Sequence, residues 1–329
     1  MFYLLFYFSC SEPKKATPFD TDTSEEPTRE WYQLPLTNQN ILTSSLTSNS
    51  EGALLSVGSP QSSQLFWLPH SSNSHQINNS NSISNSPSLL EDSTIPITGQ
   101  CISPYDSNDI ILFEPNRART STHTFEGHTG TYTCEHDVWI ASKETLYKLD
   151  NSLNLDFNIS TDGLIIDLLE HPEHGIHILT SAKENKLTTL NGDLSLDSFN
   201  LPKEHLSRRL YLGFSGEVLI SGGPQDDILI VNENALNTIQ SPERFFAADL
   251  CLTKHQDQNI LWTLSAQGNL RKYDSSWQLL ETIPLWKDEQ PGSVSMNCKD
   301  TFISMFSTNL KTYFRWDLRS GSPTSLVSE

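Results

Sequence analysis

Beyond Trp31 one short pattern recurs seven times, an apolar run of β-forming residues that closes on Asp, Asn or a substitute. It reads LFWLPH from Leu65, IILFEPN from Ile110, LYKLDN from Leu146, LTTLNG from Leu187, ILIVNE from Ile228, LRKYDS from Leu270 and YFRWDL from Tyr313. Successive copies start 45, 36, 41, 41, 42 and 43 residues apart, a mean near 41. Each follows a partner run: ALLSV at Ala53, ITGQCI at Ile97, VWIAS at Val138, IHILTS at Ile176, VLIS at Val218, ILWTLS at Ile260 and TFISMF at Thr301. Turns such as GGPQDD at Gly222 and AQGN at Ala266 separate the two, which is the chemistry of hairpin loops. Further apolar runs flank the pair, as in GLIIDLL at Gly163 and FFAADLCL at Phe245 before it, and LNLDFNIS at Leu153 and WQLLETIPL at Trp277 after it.

Four strands per unit of about 41 residues is the arithmetic of a β-propeller blade. Such a blade cannot bury both its faces alone, so it must pack on neighbours, and a closed ring leaves no end. Seven units need about 290 residues by that period, and Trp31 to Glu329 supplies 299. The expectation is an all-β, seven-bladed propeller of four-stranded blades over residues 31–329, with no room for a second domain. Helical periodicity is absent from windows of helix length, and a sandwich or solenoid does not account for seven copies that run to the chain end. The strand that completes the last blade comes from WYQLPL at Trp31 or from the SPTSLVS tail at Ser322; the residues leave both open.

The YFRWDLRSG stretch, with Trp316 and Asp317, resembles the WD dipeptide of WD40 repeats, and Gly127 and His128 in FEGHTG resemble that family's GH pair. Asp150 and Asp274 keep the acidic end of the dipeptide while Leu149 and Tyr273 replace its Trp. The chain therefore resembles a divergent WD40-like or YVTN-like propeller. Its first ten residues, MFYLLFYFSC, resemble a bacterial lipoprotein signal. That resemblance implies lipidation of Cys10 and, with Ser rather than Asp at position 11, outer-membrane retention. The apolar stretch is too short to span a bilayer as a helix.

Residues 11–30 carry Pro, Thr, Ser and charge around one large apolar residue, Phe19, and read as a flexible tether. Ser71 to Ser88 holds 13 Ser or Asn in 18 residues and reads as a long loop inside the domain. Formal charge is −19, from 21 basic and 40 acidic residues, which excludes phosphate-backbone binding by clustered Lys and Arg.

Among candidate sites, EHPEHGIH brings His171, His174 and His177 together with Glu170 and Glu173 in a turn, a spacing that could serve Zn²⁺ or Cu. A solvated polar loop is the bland alternative. Acidic turns PYDSND at Pro104 and GGPQDD at Gly222 could present oxygens to Ca²⁺, or be ordinary hairpin turns. With Cys10 lipidated, Cys101, Cys134, Cys251 and Cys298 could form two bridges, Cys101 with Cys134 and Cys251 with Cys298, or stay as buried thiols. The sequence contains no CxxC, GxSxG, P-loop, HExxH or dinucleotide-binding glycine fingerprint.

These readings combine into one expectation: a non-catalytic, extracytoplasmic lipoprotein, membrane-anchored, whose rim loops bind a protein or envelope component. No cofactor is expected, and no nucleic acid partner. The competing reading is a propeller hydrolase of the lactonase type with a central divalent metal.

Overall fold

The structure, a computed structural model, describes residues 29–33, 43–48, 52–58, 63–69, 78–79, 100–102, 109–113, 121–124, 132–133, 137–150, 154–171, 175–222, 227–232, 235–239, 247–255, 258–265, 267–286, 292, 294–299 and 301–320. They form antiparallel sheets in chain order, and each of the seven sequence copies falls in a different one. Sheet I holds β2 (Thr43–Ser48), β3 (Gly52–Gly58), β4 (Ser63–Pro69) and β5 (Asn78–Asn79). Sheet II holds β6 (Gln100–Ile102), β7 (Asp109–Phe113) and β8 (Ser121–Thr124). Sheet III holds β9 (Tyr132–Thr133), β10 (Val138–Ser142), β11 (Thr145–Leu149) and β12 (Leu155–Ser160). Sheet IV holds β13 (Leu164–His171), β14 (Gly175–Ser181), β15 (Asn185–Leu190) and β16 (Leu196–Asn200). Sheet V holds β17 (Arg209–Leu212), β18 (Val218–Ser221), β19 (Ile228–Asn232) and β20 (Ala235–Ile239). Sheet VI holds β21 (Ala247–His255), β22 (Gln258–Ser265), β23 (Asn269–Tyr273) and β24 (Leu279–Pro284). Sheet VII holds β25 (Val294–Lys299), β26 (Phe302–Ser307) and β27 (Thr312–Asp317), with β1 (Arg29–Gln33) outside β27.

The first strand among the described residues therefore pairs with the last, Trp31 opposite Phe314, and completes a sheet whose other three strands lie some 260 residues or more downstream in the numbering. Of the two segments that could complete this sheet, the WYQ run does so; the Ser322 tail lies outside the described residues. β1 also takes in Arg29 and Glu30, which composition assigned to the tether. The Ser/Asn-rich tract departs from the loop reading, since Asn78 and Asn79 pair with Trp67 and Phe66 as the fourth strand of sheet I. Sheet II has three strands among the described residues, against the four expected.

The apolar runs in the middle strands follow from their burial on both faces. In β18, Val218 and Ile220 enter a core with Leu179 and Leu187 of sheet IV, whereas Leu219 between them enters a core with Leu250, Leu261 and Tyr273 of sheet VI. β19 divides in the same way, Leu229 and Val231 to one side and Ile228 and Ile230 to the other. Trp139, Ala141 and Leu146 of sheet III meet Ile165, Ile176 and Ile178 of sheet IV, and Trp262 and Leu264 of sheet VI meet Met296, Met305 and Trp316 of sheet VII. At about 1.5–3 kcal/mol for each fully buried large side chain, these intersheet cores carry the fold.

Packing follows chain order. β13 lies against β9 and β10, β17 against β13, β21 against β18, and β25 against β21, while β2 of the first sheet lies against β25 and β26 of the last. The sequence motif has a local meaning within this frame. Leu149, Tyr273 and Trp316, the residues just before the motif Asp, are all buried. The Asp that follows organises the next turn: Asp150 Oδ1 accepts from Asn154 N at 2.8 Å, and Asp274 Oδ1 from Ser276 N at 2.8 Å and Gln278 N at 2.9 Å. Asp317 accepts from Arg319 N at 3.1 Å and pairs with the Arg319 guanidinium. Gly127 and His128 lie outside the described residues.

Candidate functional site

In sheets IV to VII the edge strands β13, β17, β21 and β25, the inner strands by analogy with a propeller blade, gather polar side chains that the sequence reading did not single out. In β13 the register with β14 shifts between Ile165 and Asp167, and in β21 the register with β22 shifts between Ala247 and Asp249. Both Asp residues thus follow a bulge, an irregularity that re-aims a side chain. Each carboxylate reaches the backbone of the next inner strand. Asp167 Oδ2 accepts from Leu210 N of β17 at 2.7 Å, and Asp249 Oδ2 accepts from Met296 N of β25 at 2.8 Å.

Asp249 has further donors. Its Oδ1 accepts from Tyr211 Oη at 2.9 Å and from Leu250 N at 3.0 Å, and Arg209 Nη1 stands 3.2 Å from Oδ2. Four donors on one buried carboxylate satisfy it, as burial requires. Burial pushes the Asp167 carboxyl up to about 6, against the pull of the Leu210 N–H and the Arg209 charge. Asp249 beside Arg209 holds the guanidinium's pKa above its ordinary value. Burial first, and the Asp249 charge second, push the Tyr211 phenol well up, so it stays a donor. Arg209 keeps 47% of its side chain exposed. Chemically the cluster is a set of intersheet staples, one carboxyl of which, Asp167, is raised to about 6 by burial.

A disulfide joins the same two inner edges. Cys251 of β21 is bonded to Cys298 of β25 with Cα atoms 5.4 Å apart, within bridging reach and in the pairing that neighbouring units suggested. Cys10 and Cys134 lie outside the described residues, as does the side chain of Cys101.

The histidine cluster is placed differently from a solvated turn. His171 ends β13 and His177 sits in β14, both buried, with their rings edge to face at 5.5 Å. His171 Nε2 donates to Gly216 O of sheet V at 3.0 Å. Gly216 has φ +90°, and a Cβ there would lie 3.0 Å from that nitrogen, so the contact asks for glycine. His177 Nδ1 bonds Thr189 Oγ1 at 2.9 Å, and Glu170 turns to sheet III, accepting from Asp137 N at 3.2 Å. Two of the three histidines are thus together; His174 and Glu173 lie outside the described residues, as do all of PYDSND but Asp109 and most of GGPQDD. Among the described residues no three His, Cys, Asp or Glu side chains are grouped to hold a metal.

On this side of the sheets one further contact crosses a junction. Phe214, in the turn after β17, stacks on Trp277, in the turn after β23, with centroids 4.7 Å apart.

All-β, with repeated four-stranded antiparallel sheets packed face to face in chain order, the protein has an architecture consistent with a β-propeller. No protein-family model matches the sequence, and no curated protein matches it. Solved structures share the fold. Virginiamycin B lyase from Staphylococcus aureus is 10% identical over 88% of this chain and 100% of its own, with a TM-score of 0.66. A catalytically inactive variant of that lyase with quinupristin gives 0.61 at the same identity and coverage. BBS1N, in complex with ARL6DN, is 12% identical over 84% of this chain and 90% of its own, with a TM-score of 0.56. Identities this low carry the fold and nothing finer.

Proposed function

We propose that this chain is a closed seven-bladed propeller that binds a protein or envelope partner through its rim loops, without catalysis, and is held outside the cytoplasm by a lipid on Cys10. Closure is supported by β1 on the outer edge of β27 and by β2 against β25 and β26. The observation that carries the non-catalytic reading is the saturation of Asp249 by four donors at the inner edges, with Asp167 tied to the next strand. Carboxylates held by backbone N–H groups are fastened to the scaffold, whereas a hydrolase of the lactonase type would direct them at a central ion. The Cys251–Cys298 bridge suits an oxidising compartment. Among solved structures of this fold, BBS1N is bound to another protein, and the lyase keeps the enzyme reading as the alternative.

Metal analysis of the full chain with Cys10→Ser, purified without chelators, tests the choice. Ca²⁺ and Zn²⁺ well below one per chain is the expected result; one ion per chain retained through dialysis would transfer the protein to the metal-hydrolase class. Radioactive fatty acid incorporated by the wild type and lost in Cys10→Ala tests the anchor.

A further inference from the structure

Two Asn-X-Ser triplets occur in the chain, Asn78-Asn79-Ser80 and Asn158-Ile159-Ser160, and such a triplet is the acceptor for N-linked sugar in a protein that leaves the cytoplasm. The first falls in the tract with 13 Ser or Asn in 18 residues, where composition alone produces it. The second lies in β12, the outer strand of sheet III, within LDFNIS. Phe157 and Ile159 pack on the core between sheets III and IV, Phe157 meeting Trp139 edge to face at 5.7 Å. Alternation along the strand therefore turns Asn158 and Ser160 the other way, and both are exposed. Asp156, two residues ahead of Asn158, is exposed as well.

The bland reading of this face is a solvated polar edge. The repeat itself does not demand the triplet, since the corresponding strands β16, β20 and β24 of sheets IV to VI carry none. A transferase has to reach the Asn158 amide and the Ser160 hydroxyl together, and an extended segment sets residues two apart on one face. β12 has no strand beyond it among the described residues, so its outer backbone edge is open too. Asn158 stands mid-strand, opposite Tyr147, so a sugar there leaves the turns at either end of the sheet clear for a partner. Bulky and hydrophilic, the sugar would also cover an edge that is otherwise a template for strand addition.

We propose that Asn158 accepts an N-linked oligosaccharide. The step is a group transfer from a sugar carried on a lipid diphosphate. Asn158 Nδ2 attacks the anomeric carbon and a C–N bond forms. The C–O bond to the diphosphate breaks, its electron pair leaves with the diphosphate, and one amide proton passes to a base of the transferase. Biologically this rests on the extracytoplasmic placement proposed above. The test mixes the folded full chain with Cys10→Ser, an N-oligosaccharyltransferase and a lipid-diphosphate oligosaccharide, and reads intact mass and peptide maps. The mass should rise by one glycan, mapped to Asn158. That gain should vanish in Asn158→Gln and in Ser160→Ala, and persist in Ser160→Thr and in Asn78→Gln. Both side chains are exposed, so all four variants should melt with the wild type. An unmodified folded chain in a mixture that modifies the free peptide LDFNIS, sugar on Asn78 alone, or an undiminished gain in Ser160→Ala would overturn the proposal. Transfer to Asn158 without fatty acid on Cys10 would reject the placement and keep the acceptor; fatty acid without transfer would do the reverse.

Discussion

Breaking the Cys251–Cys298 bridge has a calculable consequence. The two cysteines are 47 residues apart in sequence, and the loop-closure relation for that length gives about 4 kcal/mol at 25 °C, the entropy the bridge removes from the unfolded chain. The folded side should change little. Sheets VI and VII stay joined by the core around Trp262, Met296 and Trp316 and by the Asp249 bond to Met296 N. A unit of about 290 residues has an unfolding entropy of about 0.6 kcal/mol per kelvin, so the melting temperature should fall by about 7 °C. Calorimetry of the oxidised chain, the chain reduced with a phosphine, and Cys251→Ala/Cys298→Ala distinguishes the cases. The reduced chain and the double variant should melt together, below the oxidised form. If all three melt within a degree of one another, or if peptide mapping without reductant recovers both thiols free, the assignment of this bridge and its weight in stability is refuted.

The inner-edge carboxylates give two more expectations. Asp167 is raised from 3.8 to about 6, so the folded chain holds that proton more tightly than the unfolded chain. Its contribution to stability should therefore rise as pH falls from about 7 to about 4, by up to roughly 3 kcal/mol. Asp167→Asn, which keeps an oxygen for Leu210 N, should be more stable than wild type at pH 7 and lose that part of the pH dependence; urea titrations at pH 5 and 7 check both. Asp249→Ala strands Met296 N, Tyr211 Oη and the Arg209 guanidinium together, and should lower stability by about 3–5 kcal/mol, measured as an earlier urea midpoint at constant slope. A midpoint unchanged from wild type would show that water replaces the carboxylate and that it is no staple.

The sheet positions were legible because the middle strands are buried on both faces. That burial forces unbroken runs such as VLIS and ILIV, and the period of those runs marks each sheet. The buried place before the motif Asp was legible in the same way, since Leu149, Tyr273 and Trp316 are large apolar residues just ahead of a turn former. Asp167 and Asp249 carried a signal that could have been used: IDLL and ADLC set an Asp inside an inner-strand apolar run, two units apart. What hid their role is that their partners, Leu210 N and Met296 N, are backbone groups with no residue-type signature, 43 and 47 residues away. The bulges that aim them also leave no mark in composition.

The histidines were misleading for the opposite reason. EHPEHGIH is rich in polar residues and so reads as an exposed turn, yet β13 and β14 run into it as far as His171 and from Gly175. A buried imidazole is tolerable only where a fixed acceptor meets it, and Gly216 O does so for His171 from the next sheet. Gly216, by leaving out a Cβ, thus accommodates a polar side chain at an intersheet corner, just as Asp167 and Asp249 accommodate theirs by binding the neighbouring backbone. Residues that fasten one sheet to the next are therefore where sequence reasoning fails in this fold. Periodicity describes a unit, and these residues answer to the unit beside it.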